Sequence, residues 1–252
     1  MRLTVVGCSG SFPGPDSAAS CYLVEAPYDG RTFRLLLDLG SGALGSVQRL
    51  VDLRSIDAVA LSHLHPDHCL DLCGFYVVRR YHPEGAWPRL PVYGPRGTAD
   101  RLCRAYDLPS PHGMDAEYDV RVYPDGEFAI GPFAVTVSSV DHPGPAVALR
   151  VTDGRSTLVY SGDTGRCDAL DELANGCDLL LAEASFVDGA ANPPHLHMTG
   201  RDAAQTAEVA GAALLLLTHI PPWYNRDRIL DEARPHFAGD LAVARPGAVY
   251  DL

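Results

Sequence analysis

Short apolar runs recur along the whole chain, separated by polar segments that contain glycine or proline. Runs of this length, rich in valine, leucine and aromatic residues, are typical of β-strands. They occupy residues 2–6, 21–26, 33–40, 56–62, 90–94, 133–140, 146–151, 157–163, 178–185, 213–219 and 241–247. Between several of these runs, apolar residues recur with helical spacing, over 68–81, 98–106, 200–213 and 226–234. This alternation predicts an α/β fold of layered sheets flanked by helices.

No linker or short-period repeat divides the sequence. The proline- and glycine-containing stretches at 10–16 and 81–91 are only as long as loops. A chain of 252 residues, 46% of them hydrophobic, can bury a substantial core. We therefore predict one domain over residues 1–252.

The balance of charges disfavours extensive contact with nucleic acid. The chain has 32 acidic and 20 basic residues, a net charge of −12, which repels a long phosphate backbone. No apolar run approaches membrane-spanning length, and the first residues lack the apolar stretch of a signal peptide. The seven cysteines show no spacing typical of a disulfide scaffold or a zinc ribbon. We expect a cytoplasmic protein without membrane contact.

The stretch HLHPDH gathers four metal-binding side chains within six positions: His63, His65, Asp67 and His68. A packed core has little use for such a cluster, because buried imidazoles and carboxylates must find partners. We expect His63 and His65 at a strand end, pointing the same way, and Asp67 and His68 at the start of a helix that opens with Pro66. Nitrogen and oxygen donors suit Zn²⁺ and tolerate Mn²⁺ or Fe²⁺.

Three further apolar runs end in residues of the same kind. The runs that begin at 133, 157 and 213 lead to His142, Asp163 and His219. In layered α/β folds, sites assemble at the carboxyl ends of strands. One histidine at a strand end is usually structural, but three such endings beside HLHPDH indicate a metal site.

These motifs, in this order, resemble those of the metallo-β-lactamase fold hydrolases. The resemblance covers essentially the whole chain and implies an αββα sandwich, two mixed β-sheets flanked by helices, with two divalent metal ions, Zn²⁺ first among them. It implies that one ion is bound by His63, His65 and His142, and the other by Asp67, His68 and His219, with Asp163 bridging them. The true β-lactamases have a different ligand where Asp163 stands, which argues against lactam hydrolysis.

Residues 179–219 look like the ribonuclease Z and phosphodiesterase branch of that fold. The resemblance implies that Glu183 and His197 assist catalysis, His197 at the departing oxygen and Glu183 orienting its ring; we count them with Asp67 as catalytic candidates. His195 is an alternative for the same role, and Glu183 is alternatively a buried carboxylate in a structural hydrogen-bond network. Thr199 and Asp202 form a capping-box pattern, so a helix is predicted to begin there.

Ribonuclease Z carries a tRNA-binding arm between the positions of His142 and Asp163, where this chain has only two predicted strands and a turn. Residues 61–83 resemble instead small bacterial cyclic nucleotide phosphodiesterases of the fold. We therefore predict hydrolysis of a small phosphodiester, a 3′,5′-cyclic nucleotide, by metal-generated hydroxide. The alternatives are a ribonuclease Z-like nuclease, a thioester or lactone hydrolase, and a non-catalytic metal- or nucleotide-sensing module. The small and aromatic residues of helix 68–81 could form a homodimer contact. Packing in the core explains these residues equally well.

Overall fold

A computed structural model describes residues 1–252 and contains fifteen β-strands and seven α-helices. The strands are β1 (Arg2–Ser9), β2 (Ala18–Ala19), β3 (Cys21–Tyr28), β4 (Arg31–Leu37), β5 (Ala58–Ala60), β6 (Leu90–Gly94), β7 (Tyr118–Val122), β8 (Phe128–Ile130), β9 (Phe133–Ser139), β10 (Val147–Thr152), β11 (Thr157–Tyr160), β12 (Leu179–Glu183), β13 (Leu214–Thr218), β14 (Asp240–Val243) and β15 (Val249–Asp251). The helices are α1 (Ala43–Val47), α2 (Pro66–Cys69), α3 (Asp71–Tyr81), α4 (Thr98–Ala105), α5 (Asp168–Leu173), α6 (Gly200–Ala210) and α7 (Arg226–Ala233).

The strands form two mixed sheets. The first sheet has the order β15-β1-β3-β4-β5-β6-β7, with β2 beside β1, and the second has the order β14-β13-β12-β11-β10-β9-β8. In the first sheet, β4 to β7 run parallel to one another. In the second sheet, β11 to β14 do so. Each sheet is therefore half parallel, and several strands of both sheets can end near one another.

Three apolar clusters define four layers. One cluster, which includes Leu37, Leu149 and Leu181, fills the space between the two sheets. A second joins the first sheet to α1, α3 and α4 through residues such as Leu72 and Leu102. The third joins the second sheet to α5, α6 and α7. Strands buried on both faces read as continuous apolar runs, and the result is the αββα sandwich that the sequence indicated.

Most predicted elements are present, but the region of the HLHPDH motif differs in two ways. The strand β5 ends at Ala60, so His63 and His65 lie in the loop that follows it and not at the strand end itself. The helix expected over 68–81 is interrupted at Leu70. The cause is the segment after β4, where the Leu39 N–H donates to the His68 carbonyl at 2.8 Å and the Leu39 carbonyl accepts from the Asp71 N–H at 3.2 Å. Those two bonds take backbone groups that a continuous helix would use.

Two parts of the sequence reasoning about loops are confirmed. The link between His142 and Asp163 consists of β10, a tight turn and β11, paired in antiparallel register with Thr152 opposite Thr157. Thr199 caps α6 in a reciprocal capping box with Asp202. None of the helices is long and apolar enough to cross a membrane.

Candidate metal centre

The carboxyl ends of parallel strands from both sheets converge on one edge of the sandwich. In the second sheet, Asp163 lies just beyond β11, Glu183 ends β12 and His219 follows β13. In the first sheet, Asp38 directly follows β4 and His63 follows β5 after two residues. Parallel strands end at the same edge, so the fold itself brings these distant positions together.

Seven side chains form two groups that share Asp163. The first group is His63, His65, His142 and Asp163; the second is Asp67, His68, Asp163 and His219. Within each group, the potential ligand atoms all lie within 4.8 Å of one another. The structure thus places together all seven residues that were predicted as metal ligands.

In the first group, three ring nitrogens face one another. His65 Nδ1 lies 3.0 Å from His63 Nε2 and 3.2 Å from His142 Nε2. The Nδ1 of His142 is 2.8 Å from the Leu196 carbonyl, which can only accept a hydrogen bond, so that nitrogen carries the proton. In the neutral ring the Nε2 of His142 is then a bare lone pair that points at the other two rings. A cation between the three nitrogens fits this arrangement.

In the second group, the same logic holds for His219. Its Nδ1 lies 2.7 Å from Ser185 Oγ, and that hydroxyl donates its own hydrogen to the His219 carbonyl at 2.7 Å. The hydroxyl therefore accepts from Nδ1–H, and Nε2 is left with its lone pair. This Nε2 faces His68 Nε2 at 3.2 Å and Asp67 Oδ2 at 3.0 Å.

The carboxylate of Asp163 lies between the two groups and is buried. Its Oδ1 makes no hydrogen bond, although His68 Nε2 is 3.2 Å away; its Oδ2 is 3.6 Å from His63 Nε2. Burial raises the pKa of this carboxyl, but the imidazoles of His219, His68 and His63 outweigh burial and hold the pKa well below its ordinary value. An ionised, buried carboxylate with an unpaired oxygen is costly unless a cation binds it. The donors therefore fit a divalent metal site.

Asp38 orients the histidines from behind and is a functional residue that the sequence analysis missed. It is fully buried, and its Oδ2 accepts from His68 Nδ1, Tyr160 Oη and Ser62 Oγ at 2.7, 2.7 and 2.8 Å. Ser62 Oγ in turn lies 3.1 Å from His63 Nδ1. Carboxylates and hydroxyls that hold the outer nitrogen of a ligand histidine fix its tautomer and ring orientation. The signal in the sequence was the stretch LLLDLG, in which Asp38 directly follows an apolar run. The other residues of the site follow apolar runs in the same way.

His197 lies beside the metal cluster and is paired with Glu183. Its Nδ1 is 2.7 Å from Glu183 Oε1 and 3.9 Å from Asp163 Oδ2. Burial lowers the pKa of His197, but the Glu183 carboxylate outweighs burial and raises it to about 9. Glu183 also accepts from the Thr164 and Ser185 N–H groups. Glu183 therefore makes the contacts that both interpretations require, to the backbone and to the imidazole, and its part in catalysis stays a prediction.

The alternative residue, His195, occupies a different environment. Its Nδ1 lies 2.7 Å from Asp141 Oδ2, and its side chain is 74% exposed, whereas that of His197 is 12% exposed. His195 therefore lies at the rim, next to Leu196, whose carbonyl holds His142. Of the two histidines, His197 has the contact with Asp163.

The fold and the site together define a metallo-hydrolase of the beta-lactamase fold. A family model described as a beta-lactamase superfamily domain matches residues 34–220. The chain belongs to this family.

Three relatives are similar to this chain over most or all of its length. The uncharacterized protein ML1173 of Mycobacterium leprae is 45% identical over all of this chain and 89% of its own length. The probable metallo-hydrolase YhfI of Bacillus subtilis is 31% identical over the full length of both. The crystal structure of YhfI superposes with a TM-score of 0.87 over 99% of this chain and 98% of its own. A ribonuclease Z of Mycobacterium bovis is 28% identical over 88% of this chain and 86% of its own length.

We predict that Ser185→Ala weakens divalent metal binding by roughly 10- to 100-fold, the usual effect of removing a group that orients a ligand histidine. The hydroxyl that fixes the His219 tautomer would be lost, while the backbone stays intact. Thr206→Ala is the matched control, because the Thr206 hydroxyl is equally buried but makes no hydrogen bond. Competition with a chromophoric chelator measures the affinity. Equal affinities for the two variants would contradict the role given to Ser185.

Proposed function

We propose that the chain is a dinuclear, metal-dependent phosphodiesterase that hydrolyses small phosphodiesters, 3′,5′-cyclic nucleotides in particular. The observation that carries the proposal is Asp163, which contacts both histidine groups and faces the His197–Glu183 pair. Two divalent ions, when bound, supply Lewis acidity and lower the pKa of a coordinated water toward neutrality. Zn²⁺ is the first candidate and Mn²⁺ or Fe²⁺ the next, because the donors are nitrogen and oxygen atoms.

The side chains of the site have separate roles in binding the ions and the substrate and in proton transfer. The seven ligands would hold two divalent cations at one edge of an acidic protein, and the charge of those cations would attract an anionic diester. Glu183 accepts from His197 Nδ1 and keeps that ring protonated, so its other nitrogen can donate a proton to the departing oxygen. Asp67 Oδ2 lies 3.0 Å from His219 Nε2 and 3.3 Å from His68 Nε2, so these three side chains would hold the second ion together with Asp163. Nearby cations would lower the pKa of His197, since like charges disfavour the imidazolium.

The closest competing function is a ribonuclease Z-like nuclease, which the similarity to the enzyme of Mycobacterium bovis supports. Two observations favour a small substrate. The link between β10 and β11 is a turn of four residues, 153–156, which leaves no room for an RNA-binding arm. The net charge of −12 also leaves few lysines and arginines for contacts with a phosphate backbone. A thioester or lactone hydrolase and a sensing module share the metal ligands. A thiolate departs without a proton donor and a sensing module has no leaving group, so His197 argues against both; a lactone releases an alkoxide, as a phosphodiester does, and is tested as a competing substrate.

We predict that the chain reconstituted with Zn²⁺ or Mn²⁺ holds two ions, and that Asp163→Ala holds fewer and loses activity. Each ion needs at least three protein donors, and Asp163 contributes to both groups. Elemental analysis after gel filtration gives the count. A wild-type count that never exceeds one ion per chain would refute the dinuclear assignment.

We predict that His197→Ala keeps the metal content of the wild type but lowers kcat by roughly 10²–10⁴-fold, the usual scale for a positioned general acid. The matched variant is His195→Ala, which removes an imidazole two residues away, paired with a carboxylate but exposed. It should have the smaller effect on kcat. A larger effect of His195→Ala, or loss of metal from His197→Ala, would move the role elsewhere.

We predict a higher kcat/KM for 3′,5′-cyclic nucleotides than for a pre-tRNA with a 3′ trailer, because a compact diester needs only the local charge of the metal site. The two substrate classes are compared at the same metal loading and moderate salt, since contacts with a phosphate backbone depend on salt. Efficient trailer removal without turnover of cyclic AMP or cyclic GMP would replace the proposed function with that of the nuclease.

A further inference from the structure

Two exposed aromatic side chains, Phe12 and Trp223, lie against each other on segments that adjoin the metal centre. Their ring centroids are 4.8 Å apart and the planes are tilted by 41°. Phe12 is 36% and Trp223 63% exposed, and neither belongs to any of the three apolar clusters. A large aromatic side chain contributes most to stability when it is buried. A pair of such rings held together at the surface therefore points to a role in binding.

The segments that carry this aromatic pair are attached to the metal ligand His219. The Gly10 N–H donates to the Ile220 carbonyl at 3.2 Å, and Ser9 pairs with Ile220 in an isolated parallel bridge. The Ser11 nitrogen lies 3.2 Å from His219 Nε2, so this segment adjoins the nitrogen that faces the second group. Phe12 is thus one residue from a group in contact with the site.

The position of the pair is enforced by its surroundings. A side chain at Gly10 would collide with the carbonyl of His219, so only glycine lets the two segments approach this closely. Ser11 and His219 both have positive φ, at 63° and 53°. Non-glycine residues in this conformation persist only where the structure over-determines them, and they cluster at binding sites. The same contacts that hold His219 therefore hold the aromatic pair.

The aromatic character of the pair indicates which part of a substrate it can bind. Two uncharged rings cannot attract a phosphate, which the metal site takes, but they can stack on an uncharged planar ring. In a nucleotide the base is joined to the phosphate through the ribose alone, so a base subsite has to lie beside the metal site, and the segments of Phe12 and Trp223 adjoin each other next to His219. We infer that Phe12 and Trp223 form a stacking subsite for the nucleobase of the substrate. This inference rests on the phosphodiesterase function proposed above. Stacking on a π-face tolerates any base, and the larger purines gain more contact than pyrimidines.

The kinetic test uses Trp223→Ala with two comparison variants. We expect Trp223→Ala to raise KM for cyclic AMP by roughly 5- to 100-fold, the range for loss of one stacked base, with a smaller change in kcat. The effect on cyclic CMP should be smaller, so the purine preference falls. Trp223→Phe should restore most of the affinity. Tyr28→Ala is the control, because Tyr28 is 43% exposed and ends β3 at the edge opposite the metal centre.

A binding measurement separates failure of the subsite from failure of the proposed function. The chain has two tryptophans, so in the Trp87→Phe background the fluorescence reports on Trp223 alone. AMP should quench it, and ribose 5-phosphate, which lacks the base, should not. Without quenching, and with normal cyclic AMP kinetics in Trp223→Ala, the subsite is wrong and the pair is a contact for another protein or a local packing device. Quenching by AMP in a protein that hydrolyses no cyclic nucleotide would keep the subsite and refute the proposed function.

Discussion

The buried carboxylate of Asp163 is the constraint on which the site depends. Its Oδ1 lies 3.2 Å from His68 Nε2 and 3.4 Å from His219 Nδ1, and its Oδ2 faces His63. The imidazoles of His219, His68 and His63 hold the pKa of this carboxyl well below its ordinary value, against the effect of burial. A buried charge left unpaired is strongly destabilising. Either protonated histidines or a bound cation can pair with the Asp163 carboxylate.

Asp38 extends this dependence from the site to the sandwich. Its carboxylate follows β4 in the first sheet and accepts from Tyr160 Oη, at the end of β11 in the second sheet, at 2.7 Å. The same oxygen accepts from His68 Nδ1. Tyr22 of the first sheet and Thr218 of the second make a similar link, with 2.7 Å between Oη and Oγ1. One of the hydrogen bonds that join the two sheets, from Tyr160 to Asp38, thus involves the same carboxylate oxygen that orients His68, so the relative position of the sheets and the orientation of this ring are linked.

The sequence predicted the class of fold and the residues that gather at the metal centre, because both leave local patterns. Strands buried on both faces are continuous apolar runs, and His142, Asp163 and His219 follow such runs closely. What the sequence does not reveal are elements and contacts set at long range. The short strands β2, β8 and β15 are stabilised mainly by their neighbours in the sheet. The break at Leu70 depends on Leu39, which lies thirty-one positions earlier in the chain, and periodicity carries no sign of it.

Backbone conformation is the part of the site that no residue pattern discloses. Six non-glycine residues have positive φ, and four of them, Ser11, Asp38, His195 and His219, lie at or beside the metal centre. Each supplies a different component: a backbone N–H, a carboxylate behind the ligands, a rim imidazole and a ligand. A left-handed residue is disfavoured on its own, so four at one edge imply that the surrounding hydrogen bonds over-determine their positions. The stability gained where the two sheets pack holds these residues in place, and a site held this firmly is already arranged for its ligands before they bind.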